Sequence, residues 1–179
     1  MDWLYALETH PEIISRFRLL GRTPSPIEYQ QLLWANVLCQ FMVVERTSRL
    51  NAGLVFVYNA DPFNGHASIA LVAHPSFHDT AIVTEGATLL IDYVFRTWNF
   101  RKLYGDSFEF SYERFGDARP DRIDSTGLWT VEGAYRDFYY SDGRYWDKYI
   151  VSIERSAWER LREELLADLT LRAHEEAGM

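Results

Sequence analysis

A strand, a turn, an amphipathic helix and a second strand follow one another between residues 67 and 108, and this succession constrains the fold most. An apolar stripe at spacings of three and four indicates the helix: Ala87, Leu90, Ile91, Val94, Phe95 and Trp98. The runs ASIALVA before it and RKLYGDSF after it are typical of strands. Two strands joined by a helix are expected to pair in parallel, so the sequence predicts a sheet with one crossover.

Two helices are predicted before this unit, within the first 38 residues. The second is the clearer one, over RTPSPIEYQQLLWANVL. Ser25 can serve as its N-cap, Pro26 as its first residue and Glu28 as the reciprocal acceptor of a capping box.

An antiparallel meander is predicted next. Two β-rich runs, Phe41 to Glu45 and Leu54 to Tyr58, flank the segment SRLNAG, where Asn51 and Gly53 suit a turn. The segment DPFNGH predicts a second turn, after which ASIALVA forms the third strand.

The C-terminal part predicts a hairpin and a final helix. LWTVEGAYRDFYY and YWDKYIVSI flank an Asp142–Gly143 turn. The final helix carries a stripe that either packs on its own domain or forms a dimer contact: Trp158, Leu161, Leu165 and Leu169. The whole pattern predicts one α+β domain over residues 1–179, a mixed and mostly antiparallel sheet flanked by helices, with residues 155–176 as a C-terminal helical extension.

Charge and composition exclude several classes of function. The formal net charge is −8, so a nucleic-acid partner is not expected, whereas a cationic amine suits this charge as well as mere solubility does. Cys39 is the single cysteine and lies in an apolar run, which indicates a buried thiol. The five histidines show no ligand spacing, so no metal is expected. No apolar run approaches the ~20 residues of a membrane span, and the N-terminus lacks the basic region of a signal peptide, so we expect a cytoplasmic protein.

The segment HPSFHDTAIVTEGATLLIDYVFRTWNFRKLYGDSFEFS resembles the central motif of the GNAT superfamily of acyl-CoA N-acyltransferases. Its nearest likeness is to the ribosomal-protein N-terminal acetyltransferases. The positions in register are Pro75, Glu85, Leu89, Leu90, Tyr93, Phe95, Lys102 and Leu103. A second segment, VEGAYRDFYYSDGRYWDKYIVSIERSAW, resembles the family's hairpin through Glu132, Gly133, Arg136, Gly143 and Asp147, so the likeness spans about residues 40 to 158.

The resemblance implies a diphosphate site at the start of the central helix. In the family, glycines let main-chain N–H groups approach the diphosphate of CoA, and the helix dipole assists them. Here Ala81 and Val83 occupy the two glycine positions, and His78 replaces the family's Arg or Gln. The motif is therefore degenerate, and the amides from Ala81 through Thr84 to Glu85 are expected to bind acyl-CoA more weakly than the consensus would.

The resemblance also implies where the rest of the donor lies. The main chain of Leu71, Val72 and Ala73 would bond to the pantetheine amides, between two strands that splay apart. Ser111 falls at the position of an Asn that the family often carries after the next strand.

Direct acyl transfer to an amine needs a base and an acid, but no protein nucleophile. Tyr112 is the nearest candidate for the acid. His74 and Glu109 are candidates for the base, and Glu109 is alternatively a group that attracts a cationic acceptor; a chain of water would make both unnecessary.

The leading hypothesis is an N-acyltransferase that moves an acetyl or other small acyl group from acyl-CoA to a primary amine by direct transfer, without a metal. The acceptor is a small molecule or a peptide. Two alternatives stay open: a catalytically degenerate GNAT-fold binding or scaffold module, and an acyltransferase that uses an acyl carrier protein as donor. A homodimer also stays open.

Overall fold

The protein was analysed as a computed structural model, which describes residues 2–15, 18–110 and 127–177, with side chains up to residue 167. Its elements are α1 (Asp2–Glu8), α2 (Pro26–Leu33), β1 (Val37–Val44), β2 (Asn51–Asp61), β3 (His66–Ala73), a 3₁₀ turn (Pro75–Phe77), α3 (Ile82–Thr97), β4 (Lys102–Phe108), β5 (Trp129–Ser141), β6 (Arg144–Glu154) and α4 (Arg155–Ala177). This order confirms the predicted α+β fold with a C-terminal helix.

The predicted local signals at the helix starts and hairpin turns are largely confirmed. Ser25 caps α2, and the reciprocal bond from its own N–H to the Glu28 carboxylate completes the capping box. Asp142 and Gly143 both have positive φ, as the tight turn between β5 and β6 requires.

The first hairpin forms, but Asn51 and Gly53 do not make its turn. Both residues lie inside β2, and the chain reverses before them, where the Glu45 carboxylate accepts bonds from the Thr47 and Ser48 amides. The prediction for Asn51 and Gly53 was wrong because a charged side chain organises this turn.

The six strands form one sheet in the order β1-β2-β3-β4-β6-β5. Every neighbouring pair is antiparallel except β3 and β4, which α3 connects as the predicted crossover. The stripe of α3 packs on the sheet, and Leu90, Ile91, Val94 and Phe95 are all buried there. The sheet is therefore mixed and mostly antiparallel, as predicted.

The terminal helix α4 packs on its own domain. Trp158 is buried in the same core as α3, and Leu165 packs against that core. Arg162 donates to the Asp92 carboxylate of α3 from both Nε and Nη2, and Nη2 lies 3.3 Å from Oδ2. Trp158 and Leu165 thus face inward, as the first of the two interpretations predicts, while the side chain of Leu169 lies outside the described residues.

Gly86 in α3 and Gly53 in β2 set how closely the helix approaches the sheet. A Cβ at Gly86 would lie 2.5 Å from Cγ2 of Val43, and one at Gly53 would lie 2.4 Å from the carbonyl oxygen of Val72. Real Cβ atoms do not come so close, so each residue must be glycine for this packing to persist.

A Gly86→Ala substitution should destabilise the protein although it favours the helix intrinsically. Helix propensity contributes about 1 kcal/mol in favour of alanine, whereas overpacking costs about 1–3 kcal/mol. We expect net destabilisation in urea unfolding, and Val43→Ala in the same chain should restore most of it. Additive effects of Gly86→Ala and Val43→Ala would contradict the contact.

Candidate active site

The sheet opens between its two parallel strands. Pairing of β3 with β4 covers only His66 to Ser68 against Lys102 to Tyr104. Beyond that point β3 continues along β2 to Ala73, and β4 continues along β6 to Phe108. The two strand ends therefore leave a slot whose walls are main chain.

The hydrogen-bond alternation of β3 shows which residues line this slot. The N–H of His74 donates to the Ala52 carbonyl of β2 at 2.8 Å. Because N–H and C=O groups of alternate residues point to opposite sides of a strand, Val72 also faces β2. Leu71 and Ala73 turn their main-chain groups toward the slot. Of the three predicted positions, two thus offer main chain to a ligand there, and Val72 is bonded within the sheet.

The turn after β3 keeps its shape without glycine. His74 caps the 3₁₀ turn, the Thr80 N–H donates to the Phe77 carbonyl at 3.1 Å, and Ala81 at the N-cap of α3 has φ −77°. Positive φ occurs elsewhere in the described chain, but at no residue from Pro75 to Thr84. Alanine at position 81 therefore causes no backbone strain.

Val83 does not obstruct the turn. Its side chain is 2% exposed and packs inward, so that its two Cγ atoms lie 2.8 and 3.1 Å from where a Cβ on Gly53 would stand. The bulk of the valine is thus accommodated by a glycine in β2. The outer side of the turn is left to main-chain groups.

The start of α3 presents N–H groups that the described residues do not use. The first helical bond runs from the Glu85 N–H to the Ala81 carbonyl at 2.8 Å, and Ala81 provides no side-chain cap. Within the described ranges, the amides of Ala81, Ile82, Val83 and Thr84 have no hydrogen-bond acceptor. Such amides, together with the helix dipole, favour an anion.

His78 connects the turn to the slot. Its Nε2 lies 3.0 Å from the carbonyl oxygen of Ala73, so the ring donates from Nε2 to a group that faces the slot. His78 therefore links the turn to the end of β3, and it uses one of the main-chain acceptors there.

His74 has a structural role beside its predicted one. Its Nδ1 accepts a bond from the Ser76 N–H at 3.2 Å, which places the proton of the neutral ring on Nε2. The ring lies 6.2 Å from Trp3 and 6.3 Å from His10, measured between centroids. A base needs an unprotonated nitrogen directed at the substrate, so His74 stays a predicted base that would have to release its cap first.

Glu109 follows the end of β4, and its carboxylate contacts β6, the neighbour of β4 on the side away from β3. Its Oε2 accepts a bond from the Asp147 N–H at 3.2 Å, where a bulge interrupts the pairing of β5 with β6. Glu109 is therefore held against the hairpin, and its role as a base stays a prediction. Ser111 and Tyr112 lie outside the described residues, so their predicted roles also stay predictions.

An aromatic cluster beside Glu109 escaped the sequence analysis. It comprises Phe108, Phe110, Tyr139 and Trp146, with Phe108 and Tyr139 at 5.0 Å between ring centroids. Burial raises the pKa of the Tyr139 hydroxyl to about 12, so it stays protonated at neutral pH. The sequence did contain a signal for this cluster. Counting strand positions outward from the Asp142–Gly143 turn places Tyr139 opposite Trp146.

The described residues show neither a metal site nor a membrane-spanning helix. No group of three His, Cys, Asp or Glu residues among them is arranged to hold a metal ion. None of the described helices combines the length and apolar character needed to cross a bilayer.

Comparison with known proteins finds relatives in structure alone. No family model matches the sequence, and no curated protein sequence matches it either.

Among solved structures, a GCN5-related N-acetyltransferase from Brucella melitensis has a TM-score of 0.66 at 23% identity, over 93% of this chain and 76% of that one. A spermidine N-acetyltransferase from Vibrio cholerae in complex with CoA and spermine has a TM-score of 0.65 at 17% identity, over 88% and 90%. Spermidine/spermine N-acetyltransferase from the same organism, in complex with manganese ions, has a TM-score of 0.67 at 16% identity, over 90% and 89%. These likenesses show that the chain has the fold of the GNAT acetyltransferases.

Proposed function

We propose that this protein is an N-acyltransferase that moves an acetyl or other small acyl group from acyl-CoA to a primary amine by direct transfer. The observation that carries the proposal is the start of α3. Its first four amides have no acceptor among the described residues, and Val83 packs inward against Gly53. Free amides at a helix start are the groups that bind a diphosphate, and this supports the proposal.

The donor is accommodated by main chain at both ends. The diphosphate of CoA lies at the amides from Ala81 to Thr84, and the pantetheine enters the slot beside Leu71 and Ala73. Neither contact requires a basic side chain, because oriented peptide groups supply the charge complement. The same arrangement would serve the phosphopantetheine of an acyl carrier protein, but that donor would leave the diphosphate site unused.

The acceptor is a small cationic amine, of which a polyamine is the best-supported kind. A protein with the same fold was solved with CoA and spermine. The present chain carries a net charge of −8, which draws cations toward it. Glu109, just beyond the end of β4, adds a carboxylate close to a strand that forms one wall of the slot.

The chemistry follows from the groups proposed to surround the thioester. The amine nitrogen attacks the thioester carbonyl, a C–N bond forms, the C–S bond breaks, and the amine proton passes to a base. Glu109 or His74 takes that proton, directly or through water, and Tyr112 returns one to the departing thiolate. These three assignments follow the resemblance and the strand ends.

A Thr84→Asp substitution tests the diphosphate site, because it should move binding and stability in opposite directions. Thr84 is exposed in the first turn of α3, where a carboxylate stabilises the helix dipole by about 0.3–1 kcal/mol. The same carboxylate opposes a diphosphate by about 1–4 kcal/mol at contact distance. We expect calorimetry to show CoA binding weakened tenfold or more while the melting temperature holds or rises.

Gln30→Glu is the matched control, since it adds the same charge on the exposed side of α2. It should leave CoA affinity unchanged. The proposed site is rejected if Thr84→Asp binds CoA as tightly as the parent does. No heat of binding in the parent would favour the binding module or the carrier-protein donor. Initial rates with spermine and with a short peptide then identify the acceptor.

A further inference from the structure

The outer edge of the sheet at β1 is open. Strand β1 is the first of six in the sheet order, and within the described chain it pairs with β2 alone. Natural proteins protect such edges with charged residues, prolines or bulges. The sequence VLCQFMVV has no charge and no proline, and its two register shifts leave the stretch from Cys39 to Val43 regular.

Two residues of this stretch direct their main chain away from the sheet. Alternate residues of β2 bond to β3, so Val55 and Val57 bond to β1, opposite Phe41 and Cys39. The intervening residues of β1 therefore point outward. Gln40 and Met42 each offer one N–H and one C=O at the open edge, four groups in all.

Apolar side chains flank these groups on both faces of the sheet. On the α3 face, Phe41 packs edge-on against Tyr93 at 5.3 Å between ring centroids, yet each ring is 44% exposed. Leu89 continues the exposed surface along α3, and Met42 is exposed on the opposite face. A strand added here would bury apolar surface on both sides as well as bond to the main chain.

We propose that a second copy of this chain adds its own β1 at this edge, antiparallel and across a two-fold axis at Phe41. In that register Gln40 faces the partner's Met42, and Met42 faces the partner's Gln40. The four outward groups of each copy then form four bonds between the copies, and two six-stranded sheets become one. Phe41 meets the partner's Phe41 as a pair without main-chain bonds, where Cα atoms approach to about 4.5 Å.

The features of the edge favour a second copy over another partner. A two-fold interface requires a surface complementary to itself, and this register uses every outward group of the regular stretch. Two copies that each carry a net charge of −8 repel one another least where the contact is uncharged. A partner that binds through charged residues would meet no charged side chain in β1. The proposal is independent of acyl transfer.

Charge substitution at the axis tests both the surface and the register. The parent should sediment at twice the chain mass of 21.0 kDa. Phe41→Glu and Phe41→Lys should each sediment at 21.0 kDa, because like charges face one another across the axis. Mixing these two variants should restore the double mass, since the charges are then opposite.

The control is Phe63→Glu, at a phenylalanine that is 96% exposed in the turn between β2 and β3. It should stay dimeric. Circular dichroism confirms that every variant is folded. A monomeric parent at tens of micromolar overturns the proposal, and so does a dimer that persists in both Phe41 variants. Failure of the folded Glu and Lys variants to associate when mixed overturns the two-fold register.

Discussion

Replacing Arg18 with methionine should destabilise the protein by about 3–5 kcal/mol, because it strands a buried carboxylate. Glu8 is 0% exposed, and its Oε2 lies 3.2 Å from Nε of Arg18. The same guanidinium donates to the Leu33 carbonyl at 3.0 Å and lies 4.8 Å above the ring of Phe56. One cation thus joins α1, the end of α2 and the sheet.

The pH dependence of the Arg18→Met variant should reveal the cause. Burial raises the pKa of the Glu8 carboxyl above 4.5, and Arg18 opposes that rise. Without Arg18 the folded-state pKa rises further, so the folded protein binds the proton more tightly than the unfolded one. Urea unfolding should therefore show that the variant's stability is greatest below pH 4.5 and is lost as the pH rises through the folded-state pKa.

Two comparisons control this prediction. Arg18→Met combined with Glu8→Gln removes both charges and should recover most of the loss. Arg136→Met removes an exposed arginine that pairs with Asp147 and should cost far less than Arg18→Met. Equal losses in Arg18→Met and Arg136→Met would show that Glu8 is not held by Arg18.

Gly53→Ala should cost about 3 kcal/mol and also weaken CoA binding. The new Cβ would lie 2.4 Å from the Val72 carbonyl oxygen, which the ladder between β2 and β3 holds in place. Overpacking that meets main chain is at the upper end of the usual 1–3 kcal/mol. The new methyl also meets Val83, so α3 must shift at the end that presents the proposed diphosphate site.

The matched control is Gly133→Ala in β5, where no atom lies within 4 Å of the added Cβ. It should be neutral or slightly stabilising, because alanine restricts the unfolded chain. Calorimetric titration with CoA and urea unfolding report on both variants. Unchanged CoA affinity in a folded Gly53→Ala protein would contradict the coupling between Gly53 and the start of α3.

Gly53 and Val83 illustrate how far the sequence leads. Gly53 was predicted to form a turn because glycine often does, and no local pattern indicated that a valine 30 residues later would need its missing side chain. Val83 was expected to weaken acyl-CoA binding because it occupies a glycine position of the motif. The partner of each residue is distant in sequence, so only the assembled fold assigns its role.

Local sequence patterns, in contrast, were enough to predict those elements that are determined by residues close together in the sequence. The stripe of α3 and the Asp142–Gly143 turn each depend on residues within a few positions. The parallel pairing of β3 and β4 followed from the order strand, helix, strand along the chain. The side on which Leu71 and Ala73 face the slot could not be predicted, because it depends on which partner Val72 has.

The hydrogen bonds of the Arg155 guanidinium affect how this domain unfolds locally. It donates to the carbonyls of Phe95, Trp98 and Phe100 at 2.6–2.7 Å, and its own residue opens α4. The same side chain therefore holds the C-terminal end of α3 and the start of α4. Fraying of either helix end would break bonds that also hold the other, so we expect the two ends to open together.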